Sequence, residues 1–484
     1  MRLGSVFHFI GVILIIFSFF FLLPIIVALI YHSFADIYLF LKVMSISLFT
    51  GCIFYFLTYK YRGTDIGHRE AFITVTLSWI IIAFLGSLPY YFSKVLPSFT
   101  DAYFESISGF TTTGSSVFTD VEHLSKPILF WRALTQWIGG GGIIVFALAI
   151  LPWMGSGGMQ LFKAEVADIS VDKLKPRIID TAKSLWKLYL GITAFIIFML
   201  HISGMNLFDA ICHSFTIIAT GGFSTKNASI GYYQNPFIEM IVIIGMIMGG
   251  TNFSLYFSLL KGEIKKIWKR EEFRFYIINL LVLSLLVTIN LILTNSFSSF
   301  FQALRYGAFQ VISLATTTGL TTYDYLKWSP FAQTIILLCL FLGAMAGSTS
   351  GGPKIIRILM MIKHIYRELY KLIHPRAIKV IKLDGKPVDD DILSSIWGFM
   401  FIYFITIAIA TVIMSATGLD FLTALSTVVT CLNGVGPAFG KAGPTGNFAF
   451  ISPIGKWVLI FCMLIGRLEY YTVLVLLVPF YWKK

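Results

Sequence analysis

The sequence predicts an all-α polytopic membrane fold, with four tandem repeats preceded by two extra transmembrane helices. Three observations predict it. The 484 residues are 57% hydrophobic and 13% charged, and mean hydropathy is +0.82. Continuous apolar runs of about 20 residues, long enough to cross a bilayer as helices, recur along the chain. They do not alternate as the strands of a transmembrane barrel must. Finally, a shorter apolar piece followed at once by a Gly/Thr-rich stretch occurs four times, which marks an internal repeat.

Taken in order, the spanning segments are 5–31, 37–59, 71–93, 127–152, 186–204, 237–260, 275–294, 331–363, 393–416 and 455–482. The first is too long for a signal peptide and lacks a small-residue cleavage site, so it reads as a retained helix. The shorter pieces are 99–111, 207–219, 300–316 and 420–432. Each is too short to cross but long enough for a half-helix that enters and returns. The expected units are therefore 1–69 (the two extra helices), 70–182, 183–271, 272–391 and 392–484.

Aligning the half-helices on Ala102, Ala210, Ala303 and Ala424 brings Gly114, Gly222 and Gly436 into register, and a four-residue insertion in the third repeat adds Gly319. The helices that follow also share a glycine: Gly139 to Gly142, Gly249 and Gly250, Gly343, and Gly466. Close helix packing through small residues accounts for these by itself.

Charge fixes the expected orientation. Loops 60–69, 163–187, 261–274 and 354–386, with the two termini, hold 27 of the 37 basic residues. Under the positive-inside bias they face the cytoplasm, as does the N-terminus, and all four Gly/Thr loops face outside. The net charge of +13 thus suits anionic lipid or a protein surface and does not point to nucleic acid.

Non-helical backbone at membrane depth is tolerated where it is buried in protein or lines a watery path. Four equivalent loops can surround one pseudo-fourfold pore, and their carbonyls can replace the hydration shell of a cation. Glycine reaches the backbone angles this needs. The half-helices add their negative C-terminal ends. The candidate ion-coordinating residues are Thr112, Thr113 and Gly114; Thr220, Gly221 and Gly222; Thr317, Thr318 and Gly319; and Asn433, Gly434, Val435 and Gly436.

These motifs carry a resemblance. "TTTGSS" (111–116), "ATGGFS" (219–224), "TTTGLT" (316–321) and "LNGVGPAFG" (432–440), with "QWIGGGGIIV", "GSTSGGPK" and "GRLEYYT", resemble the Trk/Ktr/HKT superfamily of potassium transporters, above all its TrkH branch. The resemblance spans about 70–484, and the two leading helices are like the extra pair of that branch. It implies K⁺ (and Rb⁺) as the transported ion, a homodimer in the bacterial inner membrane, and control by a cytosolic nucleotide-binding ring of the TrkA kind. The fourth loop departs from a plain T-x-G, which makes the arrangement only pseudo-fourfold.

The segment starting near 331 is interrupted by "GAMAGSTSGGP". Gly343, Gly347, Gly351 and Gly352 lower helix propensity and Pro353 removes a donor. A polar break at that depth, with Ser348, Thr349 and Ser350, can block a path and move aside, or it can be a packing kink. The resemblance implies a gate. Arg467 lies inside the last apolar segment, where a charge is costly and marks function by default; its partner must come from another segment, since Glu469 faces elsewhere on a helix. Asp101, Asp209 and Asp420 are expected as half-helix caps, while Glu105, one turn in, has no such explanation.

Other classes are disfavoured. The histidines lack metal-ligand spacing, "GSTSGG" has no base placed beside it, and the five cysteines sit in or beside apolar segments without a CxxC. The chain therefore reads as no enzyme, with no cofactor of its own. Absence of a Walker-type or GxGxxG motif argues that it binds no nucleotide itself. The rival reading is a secondary carrier for a small solute or another monovalent cation. Such carriers usually show two inverted repeats with paired breaks, and the present repeats run in one direction.

Overall fold

The structure, a computed structural model, describes residues 2–63, 67–150 and 178–482. The part of the basic loop 163–187 that precedes 178 lies outside the described residues.

The described residues are mostly helical. Leu3–Ile30, Phe34–Leu57, Arg69–Phe92, Lys183–Ile202, Glu271–Leu293 and Asp390–Ala416 are each long and apolar enough to cross a membrane. Lys126–Ile150 follows the first half-helix. The leading helices pack against each other and against the first repeat: Phe21 stacks on Trp131 at 4.6 Å and Phe17 meets Phe110 edge-on at 5.7 Å. Gly11 and Gly51 permit the close approach, because a Cβ at either would lie 2.7 or 2.9 Å from the other helix's backbone.

All four short apolar pieces are half-helices: Phe99–Phe110, Leu207–Ile218, Phe300–Ala315 and Phe421–Asn433. They match the sequence reading to within a residue or so. Each stops where Thr or Gly takes a left-handed conformation.

Three expected spans are not continuous. The segment 237–260 is Pro236–Gly249 and Phe253–Leu260, bent by 103°. The segment 455–482 is bent by 116° between Pro453–Leu468 and Tyr470–Leu477, turning at Glu469 with φ 61°. The third, 331–363, has its helix Pro330–Cys339 ending before Gly343, and helix resumes at Ile355–Ile373. The first and third breaks satisfy each other. Met345 N–H donates to Gly250 O (3.1 Å), Thr349 N–H to Gly249 O (3.3 Å), and Phe253 N–H to Gly347 O (3.0 Å). Backbone groups orphaned by one bend are thus paired by the other.

A two-stranded hairpin, Lys382–Leu383 with Lys386–Pro387, follows the helix 355–373. Its Asp384 binds Arg270 (2.9 Å) and the Glu271 N–H (2.7 Å), and so caps the helix starting there.

Candidate functional site

The four loops repeat one backbone. A left-handed residue comes first: Thr112 (φ 53°), Thr220 (51°), Thr317 (59°) and Gly434 (67°). Two residues later comes a left-handed glycine: Gly114 (82°), Gly222 (79°), Gly319 (76°) and Gly436 (99°). Positive φ is unfavourable for a β-branched residue, yet three threonines adopt it at equivalent positions. Strain shared in this way persists only where the surroundings hold it. The residue between donates its N–H five residues back in every repeat. Thr113 reaches Ser108 O, Gly221 Thr216 O, Thr318 Ser313 O and Val435 Thr430 O, at 2.8 to 3.0 Å.

The irregular fourth sequence therefore hides the common conformation. With Gly436 in register with Gly114, Gly434 stands with Thr112 and Asn433 with Thr111. Asn433 turns its amide to Leu340 O (2.6 Å) and Tyr403 Oη (2.8 Å), as a support for its half-helix end.

The loops close into a ring. A Cβ on Gly114 would overlap Gly221 O, one on Gly222 would overlap Thr318 O, and one on Gly319 would overlap Val435 O; one on Gly436 would stand 2.9 Å from Thr113 O. Each glycine thus lies against the middle carbonyl of the next repeat, and the fourth returns to the first. A cavity of about 160 Å³ is lined by Gly114, Gly222, Gly319 and Gly436 together.

Supports behind the ring come from residues the sequence reading did not assign. Glu105, fully buried, accepts from Ser116 Oγ, from Val117 N–H (3.0 Å) and from Arg132. Arg132 also donates to Ser224 O (3.1 Å), tying the first loop to the second. A charge inside an apolar span is the signal that could have singled out Arg132. Asp420 caps the fourth half-helix as expected. Asp101 and Asp209 do not: each stands third in its helix. Asp101 pairs with Lys456 of the fourth repeat at 2.6 Å. Asp209 is capped by Asn206 and accepts from Thr225 and Tyr233. On the exposed rim, hydrogen bonds led by the Asn227 amide hold the Asp120 carboxyl below its ordinary range.

The interruption 340–354 lies against the half-helix ends of this ring. Gly351 N–H donates to Thr317 Oγ1 (2.9 Å), and a Cβ on Gly351 would overlap Asn433 O. Thr349 Oγ1 donates to Ile218 O (2.8 Å) and Gly249 O (3.0 Å). Ser348 and Ser350 bond to each other, and Lys354 reaches back to Ser350. Gly343, Gly347 and Gly352 all have φ of 71° to 73°, angles that explain the glycines.

Arg467, buried at the end of Pro453–Leu468, donates to Thr349 O (2.7 Å) and Gly139 O (2.9 Å). It thereby joins the interruption to the first repeat. Glu469 instead pairs with Arg357 at 2.5 Å. Among the described residues, no group of three or more His, Cys, Asp or Glu side chains could hold a metal ion.

A family model described as "Cation transport protein", TrkH, matches residues 38–484. The Trk system potassium uptake protein TrkH of Salmonella typhimurium is 41% identical, with all of both chains covered. The Trk system potassium uptake protein TrkG of Escherichia coli is 34% identical over 99% of this chain and 98% of its own. The crystal structure of the potassium transporter TrkH from Vibrio parahaemolyticus superposes with a TM-score of 0.91 at 37% identity, covering both chains completely.

Proposed function

The chain belongs to the TrkH family of cation transport proteins, and from that premise we propose that it takes up potassium ions through the ring of four loops. It is a multi-pass transporter of the bacterial inner membrane and not an enzyme, with K⁺ as its cargo. The observation that carries the reading is the closed cycle of four glycines on four carbonyls. In this reading the carbonyls of Thr113, Gly221, Thr318 and Val435 form one level of a selectivity filter, with Thr112, Thr220, Thr317 and Gly434 below and Gly114, Gly222, Gly319 and Gly436 above. Alternating backbone hand turns successive carbonyls toward the ion, whose hydration they replace. The half-helix C-termini add negative potential.

The segment 343–352 with Arg467 is the gate. It sits under the filter, and its glycines let it refold. The positive-inside bias of the basic loops supports a cytoplasmic N-terminus. A homodimer and a cytosolic TrkA-like ring are the expected partners, and the ring's nucleotide state would move the gate through 354–386. Four repeats of one direction favour this pore over a carrier. Flux of K⁺, Rb⁺, Na⁺ and Li⁺ into proteoliposomes tests the reading. Saturable K⁺ and Rb⁺ entry exceeding Na⁺ and Li⁺ supports it, and equal entry of all four contradicts it.

A further inference from the structure

We infer that Gln136 is a positioning residue for ion selectivity, acting from the first repeat on the filter loop of the second. The inference rests on the filter reading given above.

Gln136 is fully buried in the helix Lys126–Ile150. Its Nε2 donates to Gly221 O at 2.6 Å, and its Oε1 accepts from Phe223 N–H at 3.0 Å. The two partners fix the orientation of the amide, since one is an acceptor and the other a donor. A buried amide is costly unless paired, and this one is paired at both ends to a single loop, on either side of Gly222.

Its uniqueness is visible in the repeats. Counting three residues before the shared glycines Gly139, Gly249, Gly343 and Gly466 gives Gln136, Met246, Leu340 and Met463. Only the first repeat places a polar side chain there. The matching oddity is in the loop it touches. The middle ring residue is Thr113, Thr318 or Val435 in three repeats and glycine in the second. Thr113 and Thr318 steady their own loops through Thr111 and Thr316, at 2.8 and 2.9 Å. Gly221 has no side chain to do so, and a Cβ there would overlap Gln136 Cδ. Its φ is not in the left-handed region, so the backbone does not demand glycine. The glutamine occupies the missing side chain's space and supplies the missing bond. It also donates to the Gly221 carbonyl, so that one of the four ring oxygens is held by a side chain of another repeat.

The test compares K⁺ and Na⁺ flux of full-length variants in proteoliposomes, with folding checked by size-exclusion profile. Gln136→Met keeps the bulk and removes both hydrogen bonds; the K⁺/Na⁺ ratio should fall by about fivefold, the scale of one hydrogen bond, while K⁺ still passes. Gly221→Thr should impair K⁺ flux, and adding Gln136→Ala to it should restore flux and ratio beyond either single variant, a rescue that general loss of packing would not give. If Gln136→Met does not fold, the Gly221→Thr pair decides. A wild-type ratio in Gln136→Met, or a double variant no better than its worse parent, overturns the inference. Gly319→Ser is the reference. If it alters the ratio while the Gln136 and Gly221 variants do not behave as stated, only this inference fails. If it too leaves the ratio unchanged, the filter reading itself fails.

Discussion

Replacing Arg467 with Ala should open the resting pore. In the structure the guanidinium holds the Thr349 carbonyl at 2.7 Å and the Gly139 carbonyl at 2.9 Å, and the first of these bonds is to the interruption. A hydrogen bond to a charged group contributes about 1.5–3 kcal/mol. Losing about 2 kcal/mol shifts the balance between blocked and displaced segment roughly 30-fold. A segment displaced about one time in a hundred would then be displaced about a quarter of the time. In the proposed gate, removing a buried positive charge acts in the same direction. Arg467→Lys separates the two effects, because it keeps the charge but cannot span both carbonyls as a fork does. The assay is ⁸⁶Rb⁺ entry into proteoliposomes without any regulator. Expected rates rise in the order wild type, Lys, Ala. Rates at or below wild type in well-folded Ala protein would refute the blocking role of this contact.

Deleting 347–352 should likewise raise unregulated flux, measured in the same assay. Gly319→Ser should relax selectivity towards Na⁺, since its Cβ would overlap Val435 O and φ is 76°; the K⁺/Na⁺ permeability ratio checks it. Glu105→Ala leaves Arg132 buried without its carboxylate, a change costing about 3–5 kcal/mol, and should lower the thermal unfolding temperature in detergent. Neutralising Lys363, Arg367 and Lys371 together should abolish nucleotide-dependent flux with normal insertion, although Lys363 already holds Glu271 and Arg367 holds Asp390. A full response to nucleotide and the ring partner would remove this segment from the coupling surface.

Much of the architecture was legible because it depends on local quantities. A half-helix declares itself by being too short to span, and its end by Thr and Gly. What escaped depends on distant contacts. The bend at 250–252 exists because residues 345–349, about a hundred positions later, pair its open backbone groups. Gly249 and Gly250 read equally well as packing residues. The turn at Glu469 involves neither Gly nor Pro and goes with an ion pair to Arg357. Asp101 looked like a cap because its position was judged from one helix, whereas its partner Lys456 lies in another repeat. In the fourth loop the register on Gly436 holds, and Gly434 occupies the place of a threonine because both are left-handed there; the Asn433 amide, which composition grouped with the loop, turns to Leu340 and Tyr403.

The most direct test of the central claim is the position of a bound cation. Crystals of the protein grown in Rb⁺ should show anomalous scattering on the axis between the carbonyls of Thr113, Gly221, Thr318 and Val435, and exchange for Na⁺ should remove it. Rb⁺ density absent from the ring, or found only at sites outside it, would contradict the account.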